Sequence, residues 1–212
     1  MELFVAHGSP NCRKVLAVVN HLNLDVHIQV LDFFAGELQT PEYQAINPNG
    51  FVPALKDGDF ALWESNAIMQ YLADSAGPND LYPRDPTLRI DIHRWQFWEQ
   101  AHFNAALGVY AFEHVLKKFL NQEPDSAALE AAEVKVHKFA PVLEAQLESH
   151  PFVIGGTITL ADYALGCLMG FVEAAHMPLD GYPNINAWRE RLAADPAWAA
   201  TAPPPGITQA AE

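Results

Sequence analysis

The chain has 212 residues, half of them apolar and 18% charged, with 26 Asp and Glu against 12 Lys and Arg for a formal net charge of −14. That length and apolar content suit one large or two modest globular units with a real core, and they exclude disorder over most of the chain. The acidic balance excludes nucleic acid and anionic membrane as partners, because no basic stripe is available to neutralise phosphates; an anionic ligand must be held by local dipoles and hydrogen bonds.

Residues 1–76 alternate strand and helix signals. A short apolar run at 3–6 suits a buried strand, and 10–23 follows with apolar residues at helical spacing (Val15, Leu16, Val18, Val19, Leu22). Residues 26–31 alternate apolar and polar (Val26, Ile28, Val30), as a strand should. Two strands flanking a helix make a βαβ unit, hence a parallel pair with a right-handed crossover. A loop near 33–40 and a short helix starting at Pro41 lead to two strands, 52–56 and 60–63, whose connection Lys56-Asp57-Gly58-Asp59 has hairpin chemistry. A helix over 65–76 completes a βαβ-αββα order, which is that of a thioredoxin-like fold.

A turn-rich linker at 77–86 contains Gly77-Pro78-Asn79-Asp80 and Tyr82-Pro83-Arg84-Asp85-Pro86. Residues 87–202 then read as an all-α helical bundle, with helices near 87–121, 125–149, 159–176 and 183–194, and 203–212 as a loose tail. Thr159-Leu160-Ala161-Asp162 is a capping box, with Ile158 and Tyr163 placed as a hydrophobic staple. The helix it opens is apolar nearly all round and belongs at the centre of the bundle, where Ala161, Ala164, Gly166 and Gly170 let neighbours approach closely.

The start of the chain, Met1-Glu2-Leu3, lacks the basic segment and apolar run of a secretory signal. No apolar stretch approaches the roughly 20 residues that span a bilayer. Cys12 and Cys167 read as reduced thiols of a cytosolic protein. The nine histidines are scattered without paired Cys/His spacing, so no metal is expected.

Three segments have residues suited to chemistry. In Ser9-Pro10-Asn11-Cys12, Ser9 is placed as a helix N-cap and Pro10 as the first helical residue. A capping hydroxyl accepts through its oxygen and keeps its hydrogen to donate, at a helix terminus that already favours anions. In Asn47-Pro48-Asn49-Gly50-Phe51-Val52-Pro53, the proline leads a strand, where a cis Val52–Pro53 bond would turn the Val52 main chain toward an extended peptide; an ordinary trans bond is the alternative. Glu64-Ser65 sits at a strand-to-helix junction, another terminus that either is simply capped or holds a carboxylate.

Together, Ser-x-x-Cys-Arg-Lys-Val near residue 10, Asn-Pro-x-Gly-x-Val-Pro near 50, Glu-Ser-x-Ala-Ile near 65 and the later Thr-Leu-Ala-Asp resemble the cytosolic glutathione transferase family over residues 1 to about 200. The resemblance is to the serine-type, theta- and phi-like classes, while Ser-Pro-Asn is similar to the Thr-Pro-Asn of nu-class members, which favour disulfide reduction. It implies an enzyme with glutathione as co-substrate and a small electrophile, or a disulfide, as its other reactant. It also implies a cytoplasmic homodimer with a role in detoxification. By the same resemblance Ser9 donates to the glutathione sulfur, with Asn11 close to it. Val52, beside Pro53, pairs with the cysteinyl unit, Ser65 holds the γ-glutamyl carboxylate and Glu64 its ammonium. Gln39 alone remains for the glycyl end, where phi-like members often place His and Lys, and Phe51 stands where a Gln or Lys often adds a contact. Phe103 and Tyr110 are expected to wall the electrophile pocket. A non-catalytic glutathione-binding domain is the rival reading, against which the retained Ser9 speaks. Because Ser9 occupies the position of the exposed sulfur in a Cys-x-x-Cys motif, a dithiol cycle is unavailable and Cys12 reads as a small buried residue.

Overall fold

A computed structural model describes residues 1–203; the residues read as a tail lie, from 204 on, outside that range. Four strands, β1 (Glu2–Val5), β2 (His27–Val30), β3 (Ala54–Asp57) and β4 (Phe60–Trp63), form one sheet in the order β2-β1-β3-β4. The β1–β2 pair is parallel, with Leu3 opposite Ile28, as the intervening helix α1 (Pro10–His21) requires. The other pairs are antiparallel, with Leu3 opposite Leu55 and Leu55 opposite Leu62. Gly58, at φ 59°, makes the tight β3–β4 connection, a left-handed conformation that costs glycine nothing.

Alternation along β1 sends its side chains to two cores. Leu3 and Val5 join Val15, Val18, Leu55, Ile68 and Leu72 under α1 and α3 (Ser65–Ser75). Phe4 points the other way, into a small cluster with Leu31, Leu38, Ala54 and Tyr43 of the short helix α2 (Pro41–Gln44). The sheet is thereby covered on both faces, and α1 and α3 also form the surface that meets the helical half of the chain.

That half begins with α4 (Pro86–Trp98), whose N-cap Asp85 accepts from Thr87 N and Leu88 N. The expected helix runs on to Phe119, but as α4, α5 (Asn104–Ala111) and α6 (Lys117–Phe119) joined by two π turns, Glu99–Phe103 and Phe112–Leu116. The remaining helices are α7 (Ser126–Glu148), α8 (Leu160–Gly166), α9 (Pro183–Ala193) and α10 (Pro196–Ala199). The capping box at α8 is present: Asp162 Oδ2 accepts from Thr159 N at 2.8 Å and Thr159 Oγ1 accepts from Ala161 N at 3.3 Å. Every residue of α8 is buried. This helix is shorter than its apolar run suggests, giving way after Gly166 to turns and a 3-10 segment, Met169–Phe171. Gly166 and Gly170, each costing a helix about 1 kcal/mol relative to Ala, are there for contact: a Cβ on Gly166 would overlap Leu192, and one on Gly170 would overlap the Arg13 guanidinium.

Candidate functional site

The site starts where β1 hands the chain to α1. Ser9 is extended (φ −70°, ψ 119°), and its Oγ accepts from Cys12 N at 3.3 Å, satisfying one of the free donors of the helix start. Pro10 occupies the first helical position, where a missing N–H is harmless. The capping bond uses the Ser9 oxygen, which leaves the hydroxyl hydrogen to donate.

A second helix start faces the first. Glu64 precedes α3 with φ 74° and ψ 110°, a strained conformation for a residue with a Cβ, of order 1–3 kcal/mol. Ser65, nearly buried, donates from Oγ to Asn11 Oδ1 at 3.4 Å and so ties the two helix N-termini together. Two sets of N–H groups and two helix dipoles therefore point at one region, which favours negative charge there despite the chain's acidic field.

The third wall is the segment ahead of β3. Buried Asn47 donates from Nδ2 to Phe51 O at 2.7 Å, and its Oδ1 accepts from Asn49 N at 3.1 Å. Tyr43 also donates to Phe51 O, at 2.6 Å. Gly50 has φ 63°, and a Cβ there would stand 2.8 Å from Gln39 Nε2, so the turn admits only glycine without displacement. The Val52–Pro53 peptide is cis, and Val52 lies outside the ladder, which begins at Ala54.

These walls enclose a cavity of about 610 Å³, lined by Ser9, Asn11, Val52, Pro53, Glu64 and Ser65 on the side of the sheet. Opposite them the long helix presents Gly108, Ala111, Phe112, Val115, Leu116 and Phe119, joined by Leu168 and Phe171. Phe33, Phe34 and Phe51 complete an aromatic rim and are all more than half exposed. A smaller pocket of about 330 Å³ adjoins, sharing Asn11, Glu64 and Ser65 and adding Glu99, Gln100 and Asn104.

Six of the residues expected at the site, Ser9, Asn11, Val52, Pro53, Glu64 and Ser65, thus line one cavity. Three others do not. Phe103 is fully buried and stacks on Trp98 at 5.4 Å, and Tyr110 is 6% exposed in the bundle core; neither lines the cavity. The reason is helical register: residues 103, 106, 107 and 110 form the core stripe, and the neighbouring stripe 108, 111, 112, 115, 116 and 119 faces the cavity. Gln39 is exposed and off the cavity, with its Oε1 accepting from Gln44 Nε2 at 3.1 Å. Sequence reasoning missed Phe33 and Phe34, which lie in a loop, and Phe112 and Phe119, which share a helical stripe with Gly108, Ala111 and Val115.

Cys12 is 1% exposed, its thiol pushed up to about 11 by burial, against which its bonds with Ser9 and Ala6 work only in part. It is no thiolate at neutral pH. Cys167 is likewise pushed up by burial, to about 12. Among the described residues no group of three or more His, Cys, Asp or Glu is placed to hold a metal, and no helix is long and apolar enough to cross a membrane.

The architecture defines a class: chains with a thioredoxin-like sheet unit and a helical unit, and a cavity lined by both. Comparison with known proteins narrows it. Residues 8–75 match the family model described as the glutathione S-transferase N-terminal domain, and residues 103–196 match the corresponding C-terminal domain. The chain is 33% identical to glutathione S-transferase 3 of Zea mays, with 99% of each chain covered. It superposes on a glutathione transferase of Populus trichocarpa with a TM-score of 0.88 at 27% identity, covering 95% of this chain and 97% of that one. A theta-class glutathione S-transferase of Xanthomonas axonopodis pv. citri, solved with glutathione bound, gives a TM-score of 0.82 at 31% identity, covering 95% and 96%. The chain belongs to the glutathione S-transferase family.

Proposed function

We propose that the chain is a glutathione transferase: it binds reduced glutathione, stabilises its thiol as the thiolate and conjugates it to a small apolar electrophile. The observation that carries this is the Ser9 hydroxyl at the N-terminus of α1, on a cavity whose opposite wall is aromatic and aliphatic. A free thiol with a pKa of about 8.5 is only a few per cent thiolate at neutral pH. One hydrogen bond to the charged sulfur, about 1.5–3 kcal/mol, with a helix terminus adding about 0.3–1 kcal/mol, suffices to lower that pKa by about one to two units. The thiolate then attacks the electrophilic carbon, and the leaving group departs with the bonding pair.

In this reading Asn11 stands beside the sulfur, Val52 pairs its main chain with the cysteinyl unit next to Pro53, Ser65 receives the γ-glutamyl carboxylate and Glu64 its ammonium. Residues 1–76 act as the glutathione-binding domain, 77–86 as linker and 87–202 as the helical domain that supplies the electrophile wall. The active form is a cytoplasmic homodimer serving detoxification, and no metal takes part. Transfer is favoured over disulfide reduction and over non-catalytic binding because the matched relatives are named as transferases. The test offers the purified protein and glutathione a halo-nitroaromatic and a mixed disulfide side by side. Conjugation of the first, saturable in glutathione, is expected; turnover of the disulfide alone would replace transferase by reductase.

A further inference from the structure

A glutathione thiolate presents three anionic groups: the sulfur and two carboxylates. The cavity supplies two helix N-termini, and in the reading above they serve the sulfur (α1) and the γ-glutamyl carboxylate (α3). Nothing of that kind is left for the glycyl carboxylate, which raises the question of where the cations are. Arg13, Lys14 and Lys56 are the only Lys or Arg in residues 1–76. None reaches the cavity. Arg13 is buried against the helical half, its guanidinium 4.1 Å from the Trp198 ring centre and its Nε donating to Thr201 Oγ1 at 3.4 Å. Lys14 is fully buried and paired with Glu99 at 3.5 Å. Lys56 stands opposite Glu2, in β3 beyond Ala54 and Leu55. From the helical half, Lys117 is paired with Glu113, and neither it nor Lys118 lines the cavity. Among the described residues, the one lining side chain able to carry positive charge is the His7 imidazole.

The loop behind the aromatic rim adds charge of the wrong sign. Asp32 Oδ1 accepts from Phe34 N at 2.8 Å, and Glu37 Oε2 accepts from Asp32 N at 2.7 Å, so two carboxylates hold in place the segment that carries Phe33 and Phe34. A second carboxylate entering there meets apolar rings, a net acidic protein and no compensating ammonium or guanidinium.

We propose that the site selects γ-glutamylcysteinyl thiols by their sulfur and γ-glutamyl end alone, and takes peptides whose C-terminal end is uncharged at least as well as glutathione itself. This rests on the glutathione reading above and names its thiol substrate class. A charged group holding the glycyl carboxylate would make esterification of that carboxylate cost about 10-fold or more in affinity; here the cost is absent.

The experiment is calorimetric titration of the whole protein at about pH 8 with glutathione and with its glycyl ethyl ester. The ester is expected to bind within about threefold of glutathione, or more tightly. An ester at least tenfold weaker overturns the proposal while leaving the glutathione site intact. Failure of glutathione itself to bind removes the underlying reading, and the proposal with it. As a second arm, Phe51→Lys places an ammonium on the exposed rim; it is expected to tighten glutathione severalfold and leave the ester unchanged. A gain shared equally by both ligands overturns the assignment of an uncompensated glycyl end.

Discussion

Ser9→Ala separates a helix cap from a catalytic hydroxyl, because the two roles have different magnitudes and different pH behaviour. The cap is one bond, from Cys12 N to Ser9 Oγ at 3.3 Å, and its loss costs about 1 kcal/mol of stability. The proposed catalytic role is a bond from the same hydroxyl to the thiolate, about 1.5–3 kcal/mol, which raises the pKa of bound glutathione by one to two units when removed. At neutral pH the thiolate fraction, and with it the rate of conjugation, falls about 8- to 25-fold, because the wild-type thiol is already partly ionised there. Raising the pH toward that of the shifted thiol restores part of the loss, because bulk base then does the deprotonation. Affinity for glutathione is expected to change little, since the γ-glutamyl and main-chain contacts proposed for it lie elsewhere. The assay is conjugation rate against pH for both proteins, with the thiolate absorbance of bound glutathione followed in parallel and melting checked first. A folded variant with the wild-type rate and an unchanged pH profile would refute the reasoning; Asn11, or the α1 terminus alone, would then be the activator.

Phe112→Ala opens the helical wall without touching the sheet side of the cavity; kcat/KM for an aromatic electrophile is expected to fall about 3- to 10-fold, with KM for glutathione unchanged. Both cysteines are expected to resist alkylation at pH 8 in the native protein and to react promptly in denaturant. Because burial holds Cys12 at about 11 and Cys167 at about 12 against an ordinary value of about 8.5, the unfolded chain binds fewer protons than the native one between those limits. Stability is therefore complete below about pH 8.5 and declines as pH rises above it, which urea midpoints at pH 8 and pH 10 will show. Asp162→Ala strands Val153 N, Thr159 N and Trp188 Nε1, all of which donate to the carboxylate; with about 1–3 kcal/mol for each buried donor, a loss of about 3 kcal/mol or more is expected in chemical denaturation.

The thioredoxin-like half was legible because its signals are local: period-two alternation at 26–31, a hairpin turn at Gly58, and Ser9-Pro10 at a helix start. The capping box at Thr159 was legible for the same reason. The helical wall of the cavity was not. In the segment 103–119 two adjacent stripes are both apolar, and periodicity alone does not say which faces the bundle and which the sheet unit. Phe103 and Tyr110 belong to the inner stripe, Phe112 and Phe119 to the outer one. The π turns at Glu99–Phe103 and Phe112–Leu116 each wind in an extra residue, and no sequence pattern announces them. Gln39, expected at the glycyl end by resemblance alone, is off the cavity lining, and its Oε1 accepts from Gln44 Nε2.

One buried pair ties this hidden part of the fold to the site. Lys14 of α1 meets Glu99 of the first π turn at 3.5 Å, with both side chains almost wholly out of water. Glu99 also accepts from Asn66 Nδ2 at 3.0 Å, next to Ser65, and from Asn104 Nδ2 at 2.5 Å. The carboxylate thus joins the helix that presents Ser9, the helix that presents Ser65 and the helix that forms the opposite wall. Removing the ammonium alone, in Lys14→Met, leaves a desolvated carboxylate with amide donors only, and a cost of about 3–5 kcal/mol is expected. Neutralising both, in Lys14→Met with Glu99→Gln, removes the charge imbalance and keeps an acceptor for one amide; Asn66 still reaches Gln96 O, and Asn104 still reaches Ala164 O. The double variant is therefore expected to be more stable than Lys14→Met by at least about 1 kcal/mol, and to regain glutathione affinity that the single variant loses. Denaturant unfolding with glutathione titration across the four proteins of the cycle measures both. A Lys14→Met protein as stable as wild type, or a double variant whose loss equals the sum of the single losses, would show that the pair does not couple the three helices.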